Sequence, residues 1–300
     1  MKRQLPVWRS LLYVPAHVER FIAKAHERGA DCVQLDLEDS VPLSEKEHAR
    51  SRIEHAAPLV RRGGADVVVR INRPLAMAVR DIEAAIGPDV DGLAITKVDS
   101  AAHVRLLDEH ISEVEIQRGL AVGHTALIVL VETAAAWPHL LSIAQASPRI
   151  VALNMGAEDF ALDCGMEVSV ETLLLPKQQL VQAASAAGVL PLGLIGPATD
   201  FGDEDAFREN VRRSRRFGFG GATCIHPTQV PILNAMFSPS QEEVDQATRI
   251  IAALEAAQRG ALGAVALDGR MIDAPVAARA RKLLDRHAAI ASRAAGARQS

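Results

Sequence analysis

The chain has 300 residues, a length that allows two ordinary domains or one large α/β barrel. A net charge of −4 and an aromatic content of 3% argue against nucleic-acid binding. No apolar run reaches the roughly 18 residues of a membrane helix, and residues 1–10 lack the apolar core of a signal peptide. The three cysteines form no metal-spaced cluster. These features predict a cytoplasmic globular protein with reduced thiols that binds neither nucleic acid nor membrane.

Eight short apolar runs of strand length recur along the chain. They lie at residues 11–16, 32–39, 66–72, 92–98, 126–132, 150–156, 190–196 and 222–227. Continuous apolar runs are expected for parallel strands that are covered on both faces. Segments with helical spacing separate them, at residues 19–28, 44–60, 79–86, 101–116, 134–145, 172–187, 204–217 and 230–236. Eight strand–helix pairs predict a (β/α)8 TIM barrel rather than an open sheet.

The segment after the eighth pair is predicted to be a C-terminal helical arm. We expect the barrel to form the catalytic domain, residues 1–236, and the arm to span residues 237–300. Ser238, Pro239 and Gln241 predict a capped helix start. A turn at residues 268–269 separates two short apolar segments before the last helix. Such an arm would cap its own barrel or reach a neighbouring subunit.

Carboxylates follow two neighbouring predicted strands, at the end of a barrel where active sites lie. Glu132 ends the fifth strand and Asp159 comes just after the sixth, so both can reach one ion. Oxygen ligands without a histidine or cysteine cluster suit Mg²⁺, with Mn²⁺ as a second possibility. The alternative interpretation is that both carboxylates form ordinary salt bridges at the barrel rim.

Basic side chains end other strands. Arg70 can bind a substrate carboxylate bidentately or pair with Glu38 or Asp39, and both interpretations can hold together. Glu38 and Asp39 are expected to orient Arg70 or metal-bound water rather than bind the metal directly. Lys97 allows a Schiff-base mechanism. His226 precedes a proline in an apolar segment, where it is either a hydrogen-bonded wall residue or a catalytic base.

Seven motifs occur in order from Arg9 to Asp273, and together they resemble one family. They are RSLLYVP from Arg9, DLEDSV from Asp36, VRIN from Val69, VETA from Val131, GAEDF from Gly156, IHP from Ile225 and MID from Met271. The combination resembles the citrate lyase β-subunit-like branch of the HpcH/HpaI aldolase family, which includes malyl-CoA and citramalyl-CoA lyases. The resemblance covers nearly the whole chain.

The resemblance implies a Mg²⁺-dependent lyase that cleaves a carbon–carbon bond in a 3-hydroxy-acyl-CoA thioester of the citryl, malyl or citramalyl type. The products would be an acyl-CoA and a 2-oxo acid. Residues that match the family pattern acquire expected roles. They are Glu132 and Asp159 as metal ligands, Glu132 also in substrate binding, Arg70 as the carboxylate receptor, Lys24 near coenzyme A, Ile225 and His226 as part of the substrate pocket, and Asp273 as the proton-transfer residue.

The resemblance also implies a homotrimer or hexamer, in which Asp273 enters the active site of a neighbouring subunit. Three alternatives remain open: a citrate lyase β-like subunit that depends on an acyl-carrier protein, a non-catalytic subunit, and a malyl-CoA thioesterase. The chain departs from the family pattern at Ala16, Thr96 and Gly193, where glycine, proline and aspartate are usual. The last departure bears on which acid is accepted.

Overall fold

A computed structural model describes residues 5–196, 203–260 and 263–296. The chain divides into two compact units, Met1–Phe237 and Ser238–Ser300. None of the described helices combines the length and apolar character that a membrane crossing requires.

The first unit contains an eight-stranded parallel sheet. Its strands are β1 (Ser10–Pro15), β2 (Cys32–Asp36), β3 (Asp66–Ile71), β4 (Gly92–Ile95), β5 (Ala126–Val131), β6 (Ile150–Met155), β7 (Leu190–Pro191) and β8 (Ala222–Cys224). They lie in the order β7-β6-β5-β4-β3-β2-β1-β8. A parallel bridge between Leu192 and Gly221 joins the two ends of this series. The predicted TIM-barrel fold is therefore confirmed.

Helices alternate with the strands. They are α1 (Glu19–Ala25), α2 (Lys46–Arg61), α3 (Leu75–Ala85), α4 (Ala101–Gln117), α5 (Leu140–Ala144), α6 (Ala157–Cys164), α7 (Val170–Ala187), α8 (Glu204–Arg216) and α9 (Gln229–Met236). Short 3₁₀ turns occur at His26–Arg28, Leu43–Glu45 and Trp137–His139.

Two elements differ from the sequence-based expectation. The helix expected at residues 134–145 is mostly absent, because Trp137–His139 forms a 3₁₀ turn that leaves only the short α5. Helix α6 was not predicted, although Gly165 ends it with a φ of 66°, a conformation that favours glycine. This helix carries Glu158 and Asp159 in its first turn, so it fixes where those carboxylates lie.

Successive strand residues separate into two apolar layers, as the two-residue period of a strand requires. In β5, Leu127 and Val129 pack in the large cluster shared with the helices. Ile128 and Leu130 instead pack with residues such as Leu11 and Val68 in the barrel interior. Several of the candidate functional residues lie on this interior face, at the carboxyl ends of the strands.

The second unit consists of α10 (Gln241–Arg259), the antiparallel hairpin β9 (Val265–Leu267) with β10 (Arg270–Ile272), and α11 (Ala274–Gly296). Leu254, Ile272 and Ala277 form its small apolar core. Ser240, not Ser238, caps α10, and Glu243 completes the capping box in place of Gln241. The expected cap was placed two residues early.

Candidate active site

Strand periodicity directs a set of polar side chains into the barrel at the carboxyl ends of its strands. In β5 the interior positions are Ile128 and Leu130, and Glu132 is the next position in the same alternation. Arg70 follows the interior residue Val68 in the same way, and Tyr13 follows Leu11. The parallel strands run in one direction, so these groups meet at one end of the barrel.

Arg70 lies at the centre of a buried ionic network. Its Nε and Nη2 donate to the two carboxylate oxygens of Asp36, each at 2.7 Å. Its Nη1 lies 2.9 Å from Glu38 Oε2 and 3.5 Å from Asp39 Oδ2. The guanidinium carbon stands 4.6 Å from the ring centre of Tyr13, a cation–π contact. The structure thus pairs Arg70 with Glu38, but its main partner is Asp36.

The pKa shifts of Asp36 and Arg70 keep the carboxylate negative and the guanidinium positive. Burial raises the pKa of the Asp36 carboxyl, but the hydrogen bonds and charge of Arg70 outweigh burial and hold that pKa below its usual value. Burial lowers the pKa of Arg70, and the Asp36 hydrogen bonds and nearby negative charges more than reverse that effect. Arg70 is therefore a fixed, permanently charged group.

Lys97 links the network to the carboxylate pair. Its Nζ lies 2.6 Å from Glu38 Oε1 and 3.6 Å from Asp159 Oδ1. Burial lowers its pKa, but the hydrogen bond and charge of Glu38 raise it more, so the pKa lies above its usual value. A Schiff-base lysine needs a neutral amine. The geometry therefore disfavours the Schiff-base alternative for Lys97.

The backbone of Lys97 also holds Glu132 in place. Lys97 has a φ of 49°, unusual for a residue with a side chain, and its N–H donates to Glu132 Oε2 at 2.7 Å. A β-carbon added to Gly156 would lie 2.0 Å from Glu132 Oε1. Glycine at position 156 therefore makes room for this carboxylate.

Glu132 and Asp159 face the same cavity and have the properties of a Mg²⁺ site. Glu132 is 3% exposed, and within the described residues it forms no ion pair. Burial raises its pKa to about 7, although the Lys97 N–H bond opposes this effect. Within the described residues, no three or more histidine, cysteine or acidic side chains are close enough together to hold a metal ion. Two carboxylates nevertheless fit Mg²⁺, which usually keeps several water or substrate ligands.

This acid cavity has a volume of about 250 Å³. It brings together Arg70, Asp39, Glu132 and Asp159, and Tyr13 forms part of its wall. Burial raises the pKa of Tyr13 to about 12, so its hydroxyl stays protonated.

Lys177 also lines the acid cavity, and sequence reasoning missed it. The available signal was its place on the buried face of α7, where Leu173, Lys177, Leu180 and Ala184 recur with helical spacing. A lysine on such an apolar stripe is unusual unless it has a specific partner or role.

A second cavity, of about 610 Å³ and called here the thioester cavity, brings together Lys24, expected near coenzyme A, and Ile225 and His226, expected in the substrate pocket. Lys24 of α1 lines it together with Ile225 and His226, which follow β8. His226 Nδ1 lies 2.7 Å from Thr228 Oγ1. Tyr13 lines this thioester cavity as well as the acid cavity.

Asp273 lies in the second unit, immediately before α11. Its Oδ1 accepts a hydrogen bond from the Val276 N–H at 3.2 Å, which makes it a cap of that helix.

A parallel barrel that carries ionised side chains at the carboxyl ends of its strands has the architecture of a barrel enzyme. Residues 9–227 match the family model described as HpcH/HpaI aldolase/citrate lyase. Among curated proteins, the chain is 34% identical over 290 residues to the citrate lyase subunit beta of Escherichia coli strain K12, covering 95% of each chain. It is 35% identical over 282 residues to the L-malyl-CoA/beta-methylmalyl-CoA lyase of Cereibacter sphaeroides ATCC 17025, covering 86% of each.

A solved structure of CitE from Mycobacterium tuberculosis, in complex with magnesium, acetoacetate and coenzyme A, is 30% identical to this chain. The superposition has a TM-score of 0.75 and covers 96% of this chain and 100% of that one. The chain belongs to the HpcH/HpaI aldolase/citrate lyase family, as the motifs predict, and its lyase relatives confirm the prediction of a carbon–carbon lyase. Mg²⁺ and coenzyme A, which the resemblance implies for the family, are both present in that related structure.

Proposed function

We propose that this protein is a Mg²⁺-dependent lyase that cleaves a 3-hydroxy-acyl-CoA thioester into an acyl-CoA and a 2-oxo acid. The observation that carries the proposal is the pair of cavities that share Tyr13 as a lining residue. One cavity offers a carboxylate pair and Arg70, the groups that a metal-chelating 2-oxo acid requires. The other is lined by basic side chains, including Lys24 and Arg28, that suit the phosphates of coenzyme A.

Each group has a role in this scheme. Glu132 and Asp159 would hold Mg²⁺, which when bound would supply Lewis-acid polarisation of the substrate oxygens and a template for the adjacent carboxylate. The guanidinium of Arg70 has five N–H groups, and its contacts with Asp36, Glu38 and Asp39 leave one of them for the substrate carboxylate. Because these carboxylates fix the guanidinium, the bond that breaks is oriented before reaction.

Proton transfer is assigned to Asp273. In the cleavage direction it accepts the proton of the 3-hydroxyl group as the carbon–carbon bond breaks, and a proton then returns to the thioester enolate. In the condensation direction it removes a proton from the acyl-CoA methyl group. We propose that Asp273 reaches the site from a neighbouring subunit of a homotrimer or hexamer. The nearby Met271 is 70% exposed, which leaves an apolar side chain for such an interface.

The first test is calorimetric titration of oxaloacetate, pyruvate and glyoxylate into the protein, with Mg²⁺ and again with EDTA. Binding of a 2-oxo acid that requires Mg²⁺ supports the assignment of the acid cavity. The lyase assay then uses malyl-CoA, citramalyl-CoA and citryl-CoA, with free coenzyme A release followed separately to detect thioesterase activity. Absence of binding and of turnover would contradict the proposal and favour a carrier-protein-dependent or non-catalytic subunit.

The shared site is tested by subunit mixing. Asp273→Ala and Arg70→Lys should each be inactive alone. Mixed and allowed to exchange subunits, they should regain activity, because some sites then combine an intact Arg70 with an intact Asp273. A mixture that stays inactive despite proven exchange would contradict a site built from two subunits.

A further inference from the structure

Within the part of the chain that the structure describes, Lys177 is a buried cation with no ion-pair partner. It is 5% exposed, and its Nζ donates one hydrogen bond of 2.8 Å, to the carbonyl oxygen of Ile195. Among the described residues, no carboxylate lies within ion-pair distance of it. Other buried cations of this chain are paired: Arg50 Nε lies 2.5 Å from Asp81, and Arg149 Nη2 lies 2.7 Å from Glu115.

Such an arrangement is costly unless a ligand compensates for it. A buried charge needs an ion-pair partner or several hydrogen bonds. An ammonium has three N–H donors, and only one of them has a partner in the described chain. Burial lowers the pKa of Lys177 to about 8, and the charge of Glu158 opposes this shift without forming an ion pair. An anion in the acid cavity would supply the missing partner.

Arg70 and Lys177 line the same acid cavity but differ in electrostatic balance. The charge of Arg70 is already matched by Asp36 and Glu38. Gly193, which also lines the cavity, has no side chain to contribute a charge. The cavity therefore has two cationic positions, Arg70 and Lys177, and among the described residues only Arg70 has carboxylate partners.

We propose that Lys177 is a specificity-determining residue, which binds a second carboxylate of the substrate and makes the acid cavity selective for 2-oxo diacids over 2-oxo monoacids. The inference rests on the proposed function, since it assigns Mg²⁺, Glu132, Asp159 and Arg70 to the 2-oxo carboxylate end. Lys177 then receives the distal carboxylate, through a charge-assisted hydrogen bond that pyruvate and glyoxylate do not form.

The test is calorimetric titration of oxaloacetate and pyruvate, with Mg²⁺, into the wild-type protein, Lys177→Met and Lys177→Arg. We expect wild type to bind oxaloacetate more tightly than pyruvate. Lys177→Met should weaken oxaloacetate binding roughly 10- to 100-fold, the range for a lost hydrogen bond between charged groups, and leave pyruvate binding unchanged. Lys177→Arg keeps the charge and should retain part of the preference.

Three results would overturn the inference. Equal affinity of wild type for the two acids would do so without any variant, and this measurement decides the matter if Lys177→Met does not fold. Equal weakening of both acids in Lys177→Met would show that Lys177 only positions the segment around Ile195. Loss of the preference in Lys177→Arg with full retention in Lys177→Met would exclude a role for the charge. Failure of both acids to bind wild type would instead contradict the proposed function itself.

Discussion

Replacing Glu132 by glutamine is expected to stabilise the metal-free protein, in a way that depends on pH. Glu132 is 3% exposed and forms no ion pair among the described residues, and burial raises its pKa from 4.5 to about 7. At about 1.36 kcal/mol per pKa unit, the ionised form costs about 3 kcal/mol of folding free energy. Glutamine has nearly the same shape, and its carbonyl oxygen can still accept the Lys97 N–H bond.

The sign follows from proton binding. Between about pH 4.5 and 7 the folded protein holds a proton on Glu132 that the unfolded chain has released, so the free energy of unfolding falls as pH rises through this range. The penalty is fully present above about pH 7. Glu132→Gln removes it, so the variant should be more stable than wild type by up to about 3 kcal/mol at pH 8, and about equal to it at pH 4.5.

The assay is urea unfolding at pH 4.5 and pH 8, with and without Mg²⁺. At pH 8, Mg²⁺ should stabilise wild type and leave Glu132→Gln unchanged, because binding to the folded state alone raises stability. Asp159→Asn is the matched control. Its carboxylate is 37% exposed, so the variant should lose the Mg²⁺ response and Mg²⁺-dependent turnover without gaining stability at pH 8. A gain for Glu132→Gln of equal size at both pH values would refute the reasoning.

Three further predictions concern neighbouring features. Gly156→Ala should weaken Mg²⁺ binding at least about tenfold, with the circular dichroism spectrum unchanged, because its β-carbon would displace Glu132 Oε1; normal Mg²⁺ affinity would contradict the close approach. Asp273→Asn, which can still cap α11, should lower kcat about 100-fold or more with little change in KM, and unaltered kcat would remove it from proton transfer. Oxaloacetate affinity should fall as pH rises through about 8, where Lys177 loses its proton; Lys177→Arg should not show this fall.

Much of the barrel could be predicted because each strand is apolar on both faces. Such apolar runs can be found along the sequence without knowing which strands pair. All eight predicted runs correspond to strands of the sheet. Strand β7 is an exception in length, since Leu190–Pro191 is followed by an irregular segment despite its apolar sequence. Helix α6 was missed because eight residues directly after a strand give little periodic signal.

Only part of the site could be predicted from the sequence, because its contacts join strands that are distant in sequence. Glu132 could be placed at a strand end because it follows the continuous apolar run of β5. The dominance of Asp36 over Glu38 as the partner of Arg70 depends on register: Asp36 and Arg70 are direct neighbours across β2 and β3. A single sequence does not fix that register.

The ion pairs of Arg70 affect which residues can change as substrate specificity evolves. Replacing Arg70 alone would leave two buried carboxylates, Asp36 and Glu38, without their cation, at a cost of several kcal/mol. A viable exchange there needs coordinated changes, because such residues are energetically coupled. Lys177 has no ion-pair partner in the described chain and can be exchanged singly. We therefore expect evolutionary drift among descendants of this chain to spare Arg70 and to accumulate at Lys177.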